Sequence, residues 1–167
     1  YQFQKKTPHE IAEKLQELQQ IDVLAVTEAL RQAPYDKTQI FAEKLGMQIV
    51  VRERAAHSMA NALLVRKSVT DSGLMEVLET HTWRSNPQTG KERRSAVAMV
   101  VRIAGKIVTI VCTHLSVDSE VDRMTEMAAI KDLIEGGWSA NTKGSKRLLL
   151  LGDFNALKED DYTETRF

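Results

Sequence analysis

The stretch that most constrains the fold is residues 148–155, in which four consecutive leucines precede Gly152-Asp153-Phe154-Asn155. Four leucines in a row are typical of a strand buried on both faces inside a layered α/β core. On an extended backbone, Asp153 and Asn155 point to one side and Phe154 points to the other, where it can pack. The pattern fits either a site for a metal, a water or a phosphate, or an Asx turn that closes the strand.

Two other apolar runs also end in polar side chains. Residues 22–28 end in Glu28, and residues 106–115 end in Thr113-His114-Leu115. In open α/β sheets, ligands bind outside the carboxyl ends of the strands. Three buried strands that deliver a glutamate, a histidine and an Asp/Asn pair therefore predict one convergent polar site.

These runs resemble the endonuclease/exonuclease/phosphatase superfamily, the deoxyribonuclease-I-like proteins, in the order and spacing of Glu28, Thr113-His114-Leu115 and Gly152-Asp153-Phe154-Asn155. The resemblance covers nearly the whole chain. It implies an α/β (α+β) fold in which two sheets form a sandwich flanked by helices. It also implies that residues 1–167 are a partial domain, incomplete at both ends. The family's first strand, with a metal-site asparagine, and its terminal Ser-Asp-His motif have no counterpart here.

The order of elements agrees with such a sandwich: helix, strand, helix, an antiparallel run of strands, helix and strand. Capping residues predict helix starts at Thr7, at Asp36 and at Asp118 or Ser119. In the last of these helices, apolar spacing predicts a buried stripe of Met124, Met127, Ile130 and Ile134. Alternating or β-branched residues predict strands over residues 47–54, 59–67, 74–83 and 94–103, and a hairpin turn at 104–105.

Composition excludes several classes of protein. The chain is 43% hydrophobic and 28% charged, which is ordinary for a globular domain. No apolar run is long enough to span a membrane, and no signal peptide is visible. The single cysteine, Cys112, excludes an intrachain disulfide and is compatible with a reducing, intracellular compartment. The sequence predicts no oligomeric state.

The charge of the chain does not identify the kind of molecule that it binds. The formal net charge is zero, so the total does not support a broad nucleic-acid surface. One basic stretch is either a phosphate-facing edge or a solvated strand face. It contains Arg84, Lys91, Arg93, Arg94, Arg102 and Lys106.

The resemblance implies a divalent-metal-dependent phosphoesterase, a phosphodiesterase or nuclease in which an activated water attacks phosphorus in line. Glu28 is the candidate ligand of Mg²⁺ or Mn²⁺, because hard cations take oxygen ligands. Asp153 is the candidate general base, with metal ligation as its alternative role. His114 would donate to a non-bridging oxygen, and Asn155 would hold a phosphoryl oxygen or the water.

Asn61 is a weaker candidate, either for contact with the substrate or for a structural role within its apolar run. The substrate class is open among nucleic acid, nucleotide, phospholipid head group and inositol phosphate. The competing function is a catalytically inactive family member that acts as a binding or scaffold domain.

Overall fold

The computed structural model describes residues 7–18, 20–29, 31–32, 35–53, 60–85, 93–136 and 147–156. Within these residues the chain forms four helices and nine strands. The helices are α1 (Pro8–Glu17), α2 (Lys37–Lys44), α3 (Lys67–Asp71) and α4 (Glu120–Glu135). The strands are β1 (Val23–Val26), β2 (Arg31–Gln32), β3 (Tyr35–Asp36), β4 (Met47–Arg52), β5 (Ala62–Arg66), β6 (Met75–Arg84), β7 (Ser95–Ile103), β8 (Lys106–His114) and β9 (Leu148–Asp153).

The described strands form two main sheets and a small ribbon of β2 and β3. The three-stranded sheet has the antiparallel order β1-β5-β4. The four-stranded sheet has the order β6-β7-β8-β9, in which β6, β7 and β8 are antiparallel and β9 runs parallel to β8. A parallel pair needs a long crossover connection, and α4 lies in the one that joins β8 to β9.

Apolar side chains hold these elements together in layers. Between the two sheets, Leu63 and Val65 pack with Val97 and Met99. α1 and α2 cover the other face of the three-stranded sheet, and α4 covers the other face of the four-stranded sheet. The predicted α/β sandwich of two sheets flanked by helices is therefore confirmed.

The predicted helix starts are confirmed by side-chain caps. At α1 the Glu10 N–H donates to Thr7 Oγ1 at 3.3 Å, and the Glu10 carboxylate accepts from the Thr7 N–H in return. At α2 the Gln39 N–H donates to Asp36 Oδ1 at 3.1 Å. α4 is capped by Ser119. Each cap satisfies a backbone donor that the first helical turn leaves without an intrahelical partner.

The buried stripe of α4 differs from the prediction at one position. Ile130 is buried, and Met127 and Ile134 pack against the four-stranded sheet. The prediction is wrong for Met124, which is exposed, whereas Arg123 is buried. At 100° per residue, position 123 lies nearer than position 124 to the centre of the stripe that continues through Met127 and Ile134.

None of the described helices is both long and apolar enough to cross a membrane.

The prediction that the leucine strand is buried on both faces is wrong. In β9, Leu148 is 49% exposed and Leu149 is 45% exposed. Leu150 packs in the α4 layer and Leu151 packs between the sheets, and both are only partly buried. The physical reason is that β9 is an edge strand among the described strands, with β8 as its single neighbour.

The other predicted strands lie where expected, with shifted ends. The segments 47–54, 59–67, 74–83 and 94–103 correspond to β4, β5, β6 and β7, although residues 54 and 59 lie outside the described part of the chain. The hairpin turn is confirmed, because Ala104 and Gly105 have φ of 48° and 74°. α3 and the β2–β3 ribbon were not predicted, since elements of five and two residues show no periodicity.

Candidate active site

The register of the four-stranded sheet aligns one residue from each strand in a single row. Arg84 pairs with Ser95, Ser95 with His114, and His114 with Asp153. Directly paired residues project from the same face of a sheet. The Ser95 hydroxyl accepts a hydrogen bond from the side chain of Asn61, which directly precedes β5 of the three-stranded sheet. This row therefore faces the three-stranded sheet. The row forms the polar end of the apolar layer between the sheets.

His114 and Asp153 are thus brought together at the ends of two parallel strands. His114 Nε2 lies 4.0 Å from Asp153 Oδ2, which is ion-pair distance if the imidazole is protonated and too long for a hydrogen bond. The His114 side chain is buried, whereas that of Asp153 is 50% exposed. The pair therefore combines a histidine held by the core with a carboxylate that solvent and a ligand can reach.

Gly152 is the residue that allows β9 to end so close to β8. Its φ is +138°, and a Cβ at this position would lie 1.8 Å from the backbone oxygen of Thr113. No side chain fits there, so the glycine before Asp153 is a steric requirement of the strand pairing.

After Asp153 the chain turns at once. The Asn155 N–H donates to Asp153 Oδ1 at 2.9 Å, which is the Asx turn that the sequence left open. Asn155 has φ of 50°, so the extended geometry predicted through this residue is wrong, whereas Phe154 packs in the α4 layer as expected. Asn155 Nδ2 donates to the Leu115 carbonyl at 2.7 Å, which fixes the amide, and within the described residues its second N–H and its oxygen remain available for other contacts.

The end of β1 lies across a groove from Asp153. The groove has a volume of about 560 Å³ and runs between the edge strands of the two sheets. Its lining residues are Val23, Ala25, Thr27, Leu151, Gly152 and Asp153. Glu28 follows Thr27 directly, is exposed, and has a positive φ of 51°. The structure therefore places the strand end that carries Glu28 on the same groove as Asp153.

The donor set at this groove suits a hard cation. Glu28 and Asp153 both offer carboxylate oxygens to solvent, and Mg²⁺ is usually held by one or two protein carboxylates together with waters. Within the described residues, no three histidine, cysteine, aspartate or glutamate side chains cluster in a way that would hold a metal. Glu28 and Asp153 are therefore the exposed carboxylates near this groove that could hold Mg²⁺ together with waters, and the described residues do not form an all-protein cage.

Asn61 lies behind the site, between the two sheets. Its side chain is fully buried, and Nδ2 donates to Ser95 O at 2.8 Å and to Ser95 Oγ at 3.0 Å. The Thr113 hydroxyl also donates to the Ser95 carbonyl oxygen, at 3.0 Å. Contact between Asn61 and a substrate remains a prediction, whereas its contacts with the neighbouring sheet are present in the structure.

The structure adds an ion pair that the sequence did not indicate. Glu53 follows β4, and its side chain is only 4% exposed, with Oε1 lying 2.6 Å from Arg84 Nε. The two residues belong to different sheets and are far apart in sequence, so no local pattern connects them. In the sequence, the only indication of a charged contact here was the basic stretch that contains Arg84.

The basic stretch does not form one phosphate-facing edge in the described residues. Arg84 pairs with Glu53, Arg94 is buried, and Arg102 pairs with Glu76 at the far end of the sheet. Lys91 lies outside the described residues.

Two further ionisable groups near the row are shielded from solvent, Glu126 partly and Cys112 fully. Burial raises the pKa of the Glu126 carboxyl, although the Ser116 N–H, which donates at 2.8 Å, and the charge of Arg94 both oppose this shift. Burial also raises the pKa of the Cys112 thiol to about 12. Cys112 is therefore a protonated core residue at neutral pH, as its position in the strand predicted.

Several solved structures share the fold of this chain over most of its length. Mannosyl-6-phosphatase Bt3783 of Bacteroides thetaiotaomicron aligns with a TM-score of 0.68 at 13% identity, over 89% of this chain and 56% of its own. Truncated TDP2 of Caenorhabditis elegans aligns with a TM-score of 0.67 at 16% identity, over 93% and 57%. The endonuclease/exonuclease/phosphatase of Bacteroides vulgatus aligns with a TM-score of 0.67 at 20% identity, over 89% and 57%. This chain has the endonuclease/exonuclease/phosphatase fold.

The endonuclease/exonuclease/phosphatase fold inferred from the three strand-end motifs is thereby confirmed. The chain spans a little over half the length of these three solved structures. No family model and no curated protein matches its sequence. At these identities the likeness shows the fold, and the chemistry has to be argued from the residues of this chain.

Proposed function

We propose that this protein is a divalent-metal-dependent phosphoesterase, and more narrowly a phosphodiesterase or nuclease. The observation that carries the proposal is the pairing of His114 with Asp153 at the ends of β8 and β9, on the groove that the end of β1 also reaches. One structural neighbour is named a phosphatase and another an endonuclease/exonuclease/phosphatase, which supports phosphoester chemistry in this fold.

Each residue has a role that its surroundings permit. Asp153 orients and deprotonates the attacking water through Oδ2, since Oδ1 already accepts the Asn155 N–H. His114 lies beside that oxygen and donates to a non-bridging phosphoryl oxygen as negative charge develops. Asn155, fixed by the Leu115 carbonyl, holds the phosphoryl oxygen or the water with its remaining polar atoms.

Glu28 would hold Mg²⁺ or Mn²⁺, and Asp153 would be a second carboxylate ligand in its alternative role, in place of general-base catalysis. When bound, such an ion supplies positive charge to the phosphoryl oxygens. Because Glu28 and Asp153 are both exposed, the site can keep the waters that Mg²⁺ retains.

The test is hydrolysis by the full-length protein, with and without Mg²⁺ or Mn²⁺, of a diester and a monoester with the same leaving group, bis(p-nitrophenyl) phosphate and p-nitrophenyl phosphate. We expect metal-dependent turnover of the diester, and a fall in kcat of about 100-fold or more in Asp153→Asn, because general-base catalysis contributes that much. Asp22→Asn is the matched control, since Asp22 is 55% exposed and lies before β1, at the opposite end of this strand from Glu28.

Turnover without added metal, or an Asp153→Asn variant as active as Asp22→Asn, would contradict the proposal. A preference for the monoester would replace the phosphodiesterase assignment with that of a phosphatase. No turnover in any form of the protein would favour the inactive binding or scaffold domain.

A further inference from the structure

We infer that Asn61 is a positioning residue, which aligns the three-stranded sheet with the four-stranded sheet so that Glu28 lies opposite the His114–Asp153 pair. The inference rests on the proposed function, because it concerns how the parts of the same site are held in place. It assigns to Asn61 a role in the reaction that does not require contact with the substrate.

The candidate site is divided between the two sheets. Glu28 follows β1 of the three-stranded sheet, whereas His114 and Asp153 end β8 and β9 of the four-stranded sheet. The hydrophobic effect that drives the apolar layer together is non-directional, whereas a hydrogen bond between the sheets has a preferred geometry. A catalytic site needs its groups held to within about 0.5 Å by packing and by supporting hydrogen bonds, so a hydrogen bond between the sheets close to the site contributes directly to this alignment.

Asn61 provides such a contact on the four-stranded side. Its Nδ2 donates to Ser95 at the first residue of β7, through both the carbonyl oxygen at 2.8 Å and the hydroxyl at 3.0 Å. Ser95 is paired with His114, and His114 is paired with Asp153. Asn61 is therefore connected to the candidate general base through one hydrogen-bonded contact and two strand pairings.

A second path connects Asn61 to Glu28. The Ala29 N–H, one residue after Glu28, donates to the Ala60 carbonyl at 2.7 Å. Ala60 directly precedes Asn61, and the Asn61 carbonyl accepts from the Glu53 N–H at 3.1 Å. The backbone at Ala60 and Asn61 is thus hydrogen-bonded to residues that follow β1 and β4, two strands of the three-stranded sheet. The Asn61 side chain donates instead to the four-stranded sheet.

The chemistry of the buried amide also indicates a positioning role. Asn61 Oδ1 is buried and has no hydrogen-bond partner among the described residues. The opposite orientation of the amide would place two oxygens about 2.8 Å apart, so the Nδ2 contact with the carbonyl is the one that chemistry allows. A buried polar atom without a partner costs about 1–3 kcal/mol. A side chain that only filled space would not carry this cost.

The experiment compares Asn61→Ala with Val65→Ala in the full-length protein. Val65 is fully buried between the same two sheets but lies near the far end of β5, so it controls for lost packing. We measure kcat and KM, Mn²⁺ binding by electron paramagnetic resonance, and unfolding in urea. Glu28→Gln and the double variant Asn61→Ala/Glu28→Gln complete a double-mutant cycle.

We expect Asn61→Ala to weaken Mn²⁺ binding and to lower kcat by about tenfold or more, with KM within about twofold, as is typical when a supporting residue is removed. The double variant should bind Mn²⁺ no more weakly than Glu28→Gln alone. Val65→Ala should lower stability and leave Mn²⁺ binding and kcat within about twofold. If Asn61→Ala does not fold, Asn61→Ser, which leaves a smaller cavity, serves for the same comparison.

Two failures can be distinguished. If Glu28→Gln impairs Mn²⁺ binding but Asn61→Ala behaves like Val65→Ala, or its effects simply add to those of Glu28→Gln, the proposed function stands and the positioning role is overturned. If Glu28→Gln leaves Mn²⁺ binding unchanged, the proposed metal site is wrong, and the inference built on it is overturned as well.

Discussion

The direction of the Asp153 carboxylate in the candidate site depends on the backbone conformation of the residues on either side of it. At Gly152 two constraints coincide, because φ is +138° and the Thr113 carbonyl occupies the position of a Cβ. The same short segment contains Asn155 in a left-handed conformation. The strand pairing before Asp153 and the turn after it therefore set the direction of the carboxylate.

Gly152→Ala should lower the free energy of unfolding by at least about 3 kcal/mol, because strain in φ adds to a collision with backbone that cannot move aside. Gly73→Ala is the matched control, since Gly73 also has a positive φ, of 74°, and has no atom within 4 Å of an added Cβ. It should cost about 1 kcal/mol. Urea denaturation of both variants measures the difference, and equal losses would show that the close approach to Thr113 is not the cause.

At this scale the sequence predicted which strand ends lie close together better than it predicted the contacts of individual side chains. Polar side chains at the ends of apolar strands were enough to bring His114 and Asp153 together, because the ends of parallel strands meet. The turn at Asn155 was left open between two interpretations, since an Asx turn and a ligand site use the same residue types. Contacts between sheets, such as those of Asn61 with Ser95, join residues that no local pattern connects.

Among the elements, the strand β9 is only partly covered by the rest of the described structure. It carries the candidate general base at its last residue, yet its first two leucines are half exposed and one edge has no partner among the described strands. Four leucines in sequence describe the hydrophobicity of a strand but not its place in a sheet. Strand order depends on pairings between distant segments, which explains why the burial of β9 was predicted wrongly while its existence was predicted correctly.

Leu149→Lys should reduce self-association of this chain, because a charge on an edge strand opposes pairing with a second copy. It should change the free energy of unfolding by no more than about 1 kcal/mol, since Leu149 is already half exposed. Leu74→Lys removes a leucine that is also exposed but lies before β6, away from this edge. Sedimentation velocity at several concentrations would reject the prediction if both variants associated equally.

At the scale of the whole molecule, the feature that matters most for the candidate site is the relative position of the two sheets, because its residues come from both. Near the site they are joined by Asn61 and by the ion pair of Glu53 with Arg84, and farther along by apolar packing. The layered architecture followed from the sequence, since alternating strands and capped helices permit few arrangements. The alignment of the layers did not, because it depends on side chains that meet only after folding.

Arg84→Met should lower the free energy of unfolding by about 2–3 kcal/mol, because it leaves the Glu53 carboxylate buried without its partner. The value is set below that of a fully buried pair, since the Arg84 side chain is 41% exposed. The double variant Arg84→Met/Glu53→Gln should recover part of the loss. A single-variant loss of less than about 0.5 kcal/mol in urea denaturation would show that the pair does not join the sheets energetically.

The Asx turn has a stereochemical consequence. One oxygen of the Asp153 carboxylate accepts the Asn155 N–H, and the other lies on the side of His114. The two oxygens are therefore inequivalent, so this one carboxylate presents a chiral environment to a bound ligand. A prochiral phosphoryl group bound there would present its two non-bridging oxygens to different surroundings, and the backbone of a three-residue turn would determine which is which.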